Sequence, residues 1–256
     1  MSGGRSHWER VYAEKAPDAL SWFEPVPRSS LMLIEELGIP LDAPIVDVGG
    51  GASRLAAELV RRGYSDVTVL DISGEALERA RKDFPEADRI TWVLADVRSH
   101  DLNRRFALWH DRAVFHFMVS GRDRRAYLAT LAHSLEPRGD VILATFGPDG
   151  PTRCSGLPVV RYSADALAAT IGNHAALVSW HLEEHGTPSG ASQQFLFAHL
   201  TAPTSRSPTH GCGCGHANLG ITGIYLHGID SSEIISTVHG RPSPTISANA
   251  GLQLRR

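Results

Sequence analysis

Seven consecutive residues, Ile45-Val46-Asp47-Val48-Gly49-Gly50-Gly51, constrain this chain more than any other stretch. Apolar residues around a single carboxylate read as a strand buried on both faces, and the glycines open it into a turn that side chains would block. A second apolar run, Val67-Thr68-Val69-Leu70, ends on Asp71, and a third, Ile90–Leu94, closes at Ala95-Asp96. Between them lie segments with apolar residues at helical spacing: Leu55, Leu59 and Val60, then Leu77, Ala80 and Phe84. Strand–helix alternation of this kind folds as a parallel sheet with helices on both faces. In such sheets ligands bind beyond the carboxyl ends of the strands, near the point where the strand order reverses.

The pattern continues. Phe106–His110 and Val141–Phe146 predict strands four and five, and the helix carrying Leu128, Leu131 and Leu135 is expected to stop at Pro137-Arg138-Gly139. A short helix is expected near residues 164–171. Leu177–Leu182 and Gln194–Leu200 bracket a Gly/Pro turn and predict an antiparallel hairpin. Residues 7–40 predict an N-terminal helical layer broken at Pro25 and Pro27, with Ser29 and Ser30 placed to cap the helix of Leu31, Leu33, Ile34 and Leu37. The expected fold class is therefore α/β. A Rossmann-like seven-stranded, mostly parallel sheet has helices on both faces and a C-terminal antiparallel hairpin, all within residues 1–200. From Thr201 to Arg256 neither periodicity is sustained, and the Gly/Ser/Thr/Pro/His composition predicts a disordered tail. In it, His210-Gly211-Cys212-Gly213-Cys214-Gly215-His216 offers thiolates and imidazoles at a spacing shorter than structural zinc sites use, so no metal is expected.

Composition excludes several partners. With 28 acidic residues against 25 basic ones and no basic run, a nucleic-acid surface is not expected. Three cysteines make no disulfide framework, Met1–Arg10 lacks the apolar core of a signal peptide, and no apolar run is long enough to span a bilayer. The expectation is a soluble cytoplasmic protein without membrane contacts, its oligomeric state open.

A dinucleotide fingerprint would want a small residue where Arg54 stands. S-adenosylmethionine carries no phosphates and needs no such residue, so it is the expected ligand. Gly49 and Gly51 would let the backbone approach it, and Asp47 would hold its ammonium group through the turn or water. Asp71 would accept from the ribose hydroxyls, Asp96 from the adenine amino group. The Val97 N–H would meet a ring nitrogen, and Ile72 with Val97 would sandwich the base. Trp22 offers an aromatic face to the sulfonium. The plainer readings are helix caps for the two aspartates and core packing for the tryptophan.

Asp47 through Gly51, Asp71 and Leu94-Ala95-Asp96 together resemble the successive motifs of class I S-adenosylmethionine-dependent methyltransferases. His7-Trp8-Glu9-Arg10-Val11-Tyr12 and Ser21-Trp22-Phe23 resemble the opening of a methyltransferase-like branch that includes elongation-factor lysine methyltransferases. Asp111-Arg112-Ala113-Val114-Phe115 resembles that branch's segment after strand four, with Arg112 in place of lysine, Ala113 of glycine and His116 of an acid. The resemblance implies a methyltransferase acting on a small molecule or a protein side chain. The alternatives are a non-catalytic S-adenosylmethionine-binding protein and a nicotinamide-dependent oxidoreductase.

Position beyond strand four would bring Asp111, Arg112 and His116 to the methyl-transfer cleft. Asp111 would join the cofactor site, His116 would be the general base or else a histidine packed into the helix that follows strand four, and Arg112 would clamp an acidic substrate or pair with Asp111. From the long loop after strand five, Arg153, Cys154 and Arg161 are the candidate acceptor contacts. No motif for a rival catalytic centre such as Gly-x-Ser-x-Gly or His-Glu-x-x-His is present.

Overall fold

In a computed structural model, the structure describes residues 4–99 and 101–204. The tail beyond Thr204 and its Cys/His run lie outside the described residues.

The sheet has seven strands: β1 (Ile45–Val48), β2 (Val67–Asp71), β3 (Ile90–Leu94), β4 (Phe106–Arg112), β5 (Leu135–Phe146), β6 (Ala176–Gly186) and β7 (Ser192–Thr201). Their order is β3-β2-β1-β4-β5-β7-β6, parallel through β5, with β7 and β6 antiparallel. The chain winds outward from β1 to β3 and then crosses back to β4, so the crevice for a ligand opens at the ends of β1 and β4.

Every residue of β1 and β2 is buried, as expected of parallel strands covered on both faces. Ile45, Val67 and Val69 pack with Leu31 and Ile34 of α2 (Arg28–Glu36) and Leu55 and Leu59 of α3 (Leu55–Arg61). Val46, Val48 and Leu70 belong to the opposite core, which Tyr127, Leu128 and Leu131 of α5 (Gly121–Ser134) complete. Between β2 and β3 runs α4 (Gly74–Asp83), whose cap Ser73 accepts from the Ala76 N–H. Ahead of the sheet lies α1 (Arg5–Glu14), and α6 (Ala164–Ile171) precedes β6.

Several local expectations are corrected. Pro27 is the N-cap of α2, and Ser29 and Ser30 lie inside its first turn, their hydroxyls bonded to Glu183 and His110 across the fold. The helix before β5 stops at Ser134, and Pro137–Gly139 lie within the strand's first stretch, which bends where Arg138 takes φ 61°. Within the loop after β5, Arg153–Cys154 and Leu157–Pro158 pair as a small antiparallel ribbon. Among the described residues no helix is long and apolar enough to cross a membrane.

Candidate active site

At the ends of β1, β2 and β3 a cleft of about 780 Å³, its open mouth included, runs beneath α1. Gly49, Asp71, Ile72, Asp96 and Val97 form its floor, and Ala113 and Val114 close it beyond β4. Gly49 (φ 69°) and Gly51 (φ 39°) hold backbone conformations that favour glycine. A Cβ on Gly51 would fall 2.7 Å from Asp71 Oδ2 and 2.9 Å from the Tyr12 hydroxyl, so only glycine lets these groups converge. Gly51 thus clears room for the site without lining it.

Asp71 Oδ1 accepts from the Ser73 N–H at 2.8 Å. Burial, with the charges of Asp47 and Glu9 nearby, pushes its carboxyl up to about 7. Asp96 behaves in the opposite way. Burial would raise its pKa, but Arg98 grips both oxygens through Nε and Nη2 and holds it below the usual range. A carboxylate held in this way stays an acceptor, with lone-pair sites beyond those one guanidinium uses.

The roof is aromatic. Trp8, Tyr12 and Trp22 line the cleft from above and meet edge to face, with Trp8 also against Phe117 at 5.1 Å. Glu9 latches α1 down. Its carboxylate accepts from Ser73 Oγ and from the Gly74 and Glu75 N–H groups, each at 2.9 Å, and so satisfies the open N-terminus of α4. Trp8, Glu9 and Tyr12 were legible only as part of a resemblance; what they do depends on where α1 docks.

Beyond β4 the structure parts from the sequence-based expectations. Asp111 is fully buried and lines neither the cleft nor the smaller chamber beside it. It accepts from the Val114 N–H at 2.8 Å, the Phe115 N–H at 3.1 Å and the Tyr127 hydroxyl, and burial pushes its carboxyl up to about 6. Its carboxylate shapes the turn that follows β4. That turn carries Ala113 at φ 72°, a strained conformation for any residue with a Cβ. Arg112 reaches the cleft but pairs with Glu24 and the Trp22 carbonyl, at 2.7 and 2.8 Å, and not with Asp111. His116 is fully buried between Phe117 and Phe146, and its ring nitrogens have no partner among the described residues. Burial, then the Arg112 charge, pushes its pKa down to about 3. A neutral ring walled off by aromatics cannot exchange a proton with a substrate, so the base expected there is absent from the cleft.

Of the three loop residues only Cys154 faces the cleft, and burial pushes its thiol up to about 11. Arg153 donates to the Gly156 carbonyl and Arg161 to that of Gly150 at 3.4 Å; neither joins the cleft lining.

Asp47 does not line the main cleft either. It sits in a smaller adjoining chamber that shares Gly49, Trp22 and Arg112 with the cleft. There Asp47 Oδ1 accepts from His110 Nδ1 at 2.8 Å, and His110 Nε2 meets Ser30 Oγ at 2.9 Å. Sequence reasoning missed His110 and Ser30. The one available signal was a histidine at the end of the apolar run Phe106–Trp109, and its partner follows from the register that sets Asp47 beside His110.

A seven-stranded sheet of this order, with a glycine turn after β1 and acids after β2 and β3, defines the class I S-adenosylmethionine-dependent methyltransferase fold. Residues 45–139 match a family described as a methyltransferase domain. The fold resembles the N-methyltransferase NodS from Bradyrhizobium japonicum, solved with S-adenosyl-L-homocysteine, with a TM-score of 0.62 at 14% identity over 78% of this chain and 100% of that one. A Burkholderia thailandensis 1,6-didemethyltoxoflavin-N1-methyltransferase gives a TM-score of 0.57 at 22% identity over 78% of this chain and 87% of that one. The mouse protein EEF1A lysine methyltransferase 2 is 32% identical over 84 residues, 30% of this chain and 34% of that protein. A malonyl-[acyl-carrier protein] O-methyltransferase from Anoxybacillus flavithermus is 28% identical over 105 residues, 40% of this chain and 39% of that protein. The match thus spans little more than a third of these curated relatives.

Proposed function

We propose that this chain transfers a methyl group from S-adenosylmethionine to a small acceptor whose nucleophilic atom arrives unprotonated. The observation carrying this reading is the uneven distribution of charge along the cleft. Asp71 and Asp96 line its β2 and β3 end, while Trp8, Trp22, Phe117 and Cys154 enclose the remainder with no carboxylate among the described lining residues. Asp71 would accept from ribose hydroxyls in the space that Gly51 leaves, Asp96 from the adenine amino group, and Ile72 and Val97 would cover the base. Asp47 would face the ammonium end. Bound in this way, the cofactor supplies an already activated methyl group.

The chain's own contribution is then alignment under an aromatic roof that excludes water. A protonated amine would find no free carboxylate among the described residues lining the acceptor end. No proton acceptor is ready there at neutral pH: burial and the Asp71 charge raise the Tyr12 hydroxyl well above its usual range, and the Cys154 thiol stays protonated. An acidic thiol, a phenolate or an aromatic nitrogen meets these conditions.

Transfer of labelled methyl from S-adenosylmethionine into a cell extract, fractionated by size, tests this reading. The label is expected in molecules below about 1 kDa. Label held mainly in protein would overturn the small-acceptor reading in favour of a side-chain substrate, the activity named for the mouse relative.

A further inference from the structure

The smaller chamber contains polar groups that the reaction has so far left unused. Ser30 on α2, Asp47 on β1 and His110 on β4 are 1%, 2% and 2% exposed, and they form one chain of hydrogen bonds. An ionised carboxylate only accepts, so His110 Nδ1 carries a proton, and in the neutral ring Nε2 accepts from Ser30. This arrangement satisfies Asp47 Oδ1 and leaves Oδ2 without a partner among the described residues. A buried acceptor without a donor is costly, and such atoms are found where something else completes them. Oδ2 lies under the glycine turn, 2.4 Å from where a Gly50 Cβ would be, beside a chamber that shares Gly49 and Arg112 with the cleft. Arg112, on the same chamber, leaves Nε equally unpartnered. One open acceptor and one open donor match the ammonium and carboxylate of an α-amino acid. The same residue types make hydrolytic triads, but those present an exposed nucleophile, and Ser30 is enclosed within α2.

We propose that His110 is a positioning residue for the cofactor: with Ser30 it fixes the Asp47 carboxylate so that Oδ2 serves the ammonium end, and protonation of its ring weakens the pull of Asp47 on that ammonium. A second proton would put a positive charge 2.8 Å from Asp47 Oδ1 and offset the attraction for the ammonium. The charged groups around the ring are Asp47 from β1, Asp111 and Arg112 from β4 itself, and Glu24 from the segment over the chamber; Ser30 from α2 and Leu55 from α3 bring none. Only Asp47 among these charges hydrogen-bonds the ring.

The inference rests on the cofactor reading, and two ligands separate them. S-adenosylhomocysteine carries the amino-acid end; methylthioadenosine shares the nucleoside and lacks it. Titration of Asp71 acts on the ribose that both share, and what it adds at the ammonium is common to the parent and the His110→Asn variant, so the ratio of affinities, measured by calorimetry in both proteins, isolates the histidine. From about pH 8 to about pH 5.5 the ratio of S-adenosylhomocysteine to methylthioadenosine affinity should fall about threefold to tenfold in the parent protein. In His110→Asn, whose amide can still donate to Asp47 but cannot take up a proton, the ratio should fall less. A level ratio in the parent, which needs no variant to fold, would overturn the proposal, as would an unchanged slope in His110→Asn. If methylthioadenosine fails to bind the parent protein at all, the cofactor reading itself falls.

Discussion

Asp71 is the residue at which function and stability conflict most directly. Its carboxyl titrates near 7 because the fold buries it beside two other acids, far above the usual 3.8. A raised folded pKa means that the native state binds the proton more tightly than the unfolded chain. The associated stability is complete below about pH 4 and is lost as pH rises through 7. In Asp71→Asn the burden is gone, while the amide oxygen can still accept from Ser73. The ligand-free variant should therefore melt several degrees higher than the parent at about pH 8 and nearly the same at about pH 4. It should bind S-adenosylhomocysteine at least tenfold more weakly, since hydrogen bonds to a charged acceptor contribute about 1.5–3 kcal/mol. Equal melting at both pH values would remove the argument from burial. His116 presents the opposite sign. Its pKa is lowered to about 3, so the folded protein forgoes a proton that the unfolded chain takes up below about 6.5, and stability falls with pH across that interval. His116→Leu should leave kcat/KM within a few-fold and flatten this acid-side loss in a thermal scan. A drop of two or more orders of magnitude in kcat/KM with the fold intact would restore the histidine to the chemistry.

At the scale of elements, α1 behaves as a roof held by one side chain. Glu9 meets three donors at the start of α4, directly after the segment Asp71-Ile72 that lines the floor. Loss of a helix cap costs about 1 kcal/mol. Glu9→Ala is expected to lower the melting temperature by a few degrees and to speed release of S-adenosylhomocysteine several-fold, because the roof opens more often. Hydrogen exchange at the Gly74 and Glu75 amides should rise with it; unchanged exchange there would mean that α1 is held elsewhere. This latch also marks what a sequence can and cannot disclose. The strands β1 and β2 were legible because burial on both faces leaves an apolar run with few polar exceptions, and β3, half exposed at the sheet edge, was legible from its own apolar residues ahead of Asp96. Glu9, Ser30 and His110 were not, because each acts on a partner more than sixty residues away whose position depends on docking and register. His116 misled for the same reason: its place in the chain adjoins the cleft, while the turn that Asp111 builds directs its ring into the core.

Across the whole molecule, β5, β7 and β6 complete the sheet, and Phe146, Phe195 and Phe197 close the core beside α6. These elements all lie before Thr204. A chain ending at Thr204 should melt within a few degrees of the full-length protein and bind S-adenosylhomocysteine with similar affinity. Unfolding on truncation would show that the later residues belong to the domain.

The Asp47–His110 pair has a consequence for assembly as well. Parallel strands β1 and β4 are separated by a crossover of almost sixty residues, and apolar side chains alone allow such strands to slide past one another. A shift of β4 by two residues would set Asp47 beside Leu108 or Arg112, leaving the imidazole buried among aliphatic groups. Only one alignment lets the two polar side chains complete each other. The pair works as a key cut for a single register, excluding mispaired sheets that the hydrophobic core would otherwise accept.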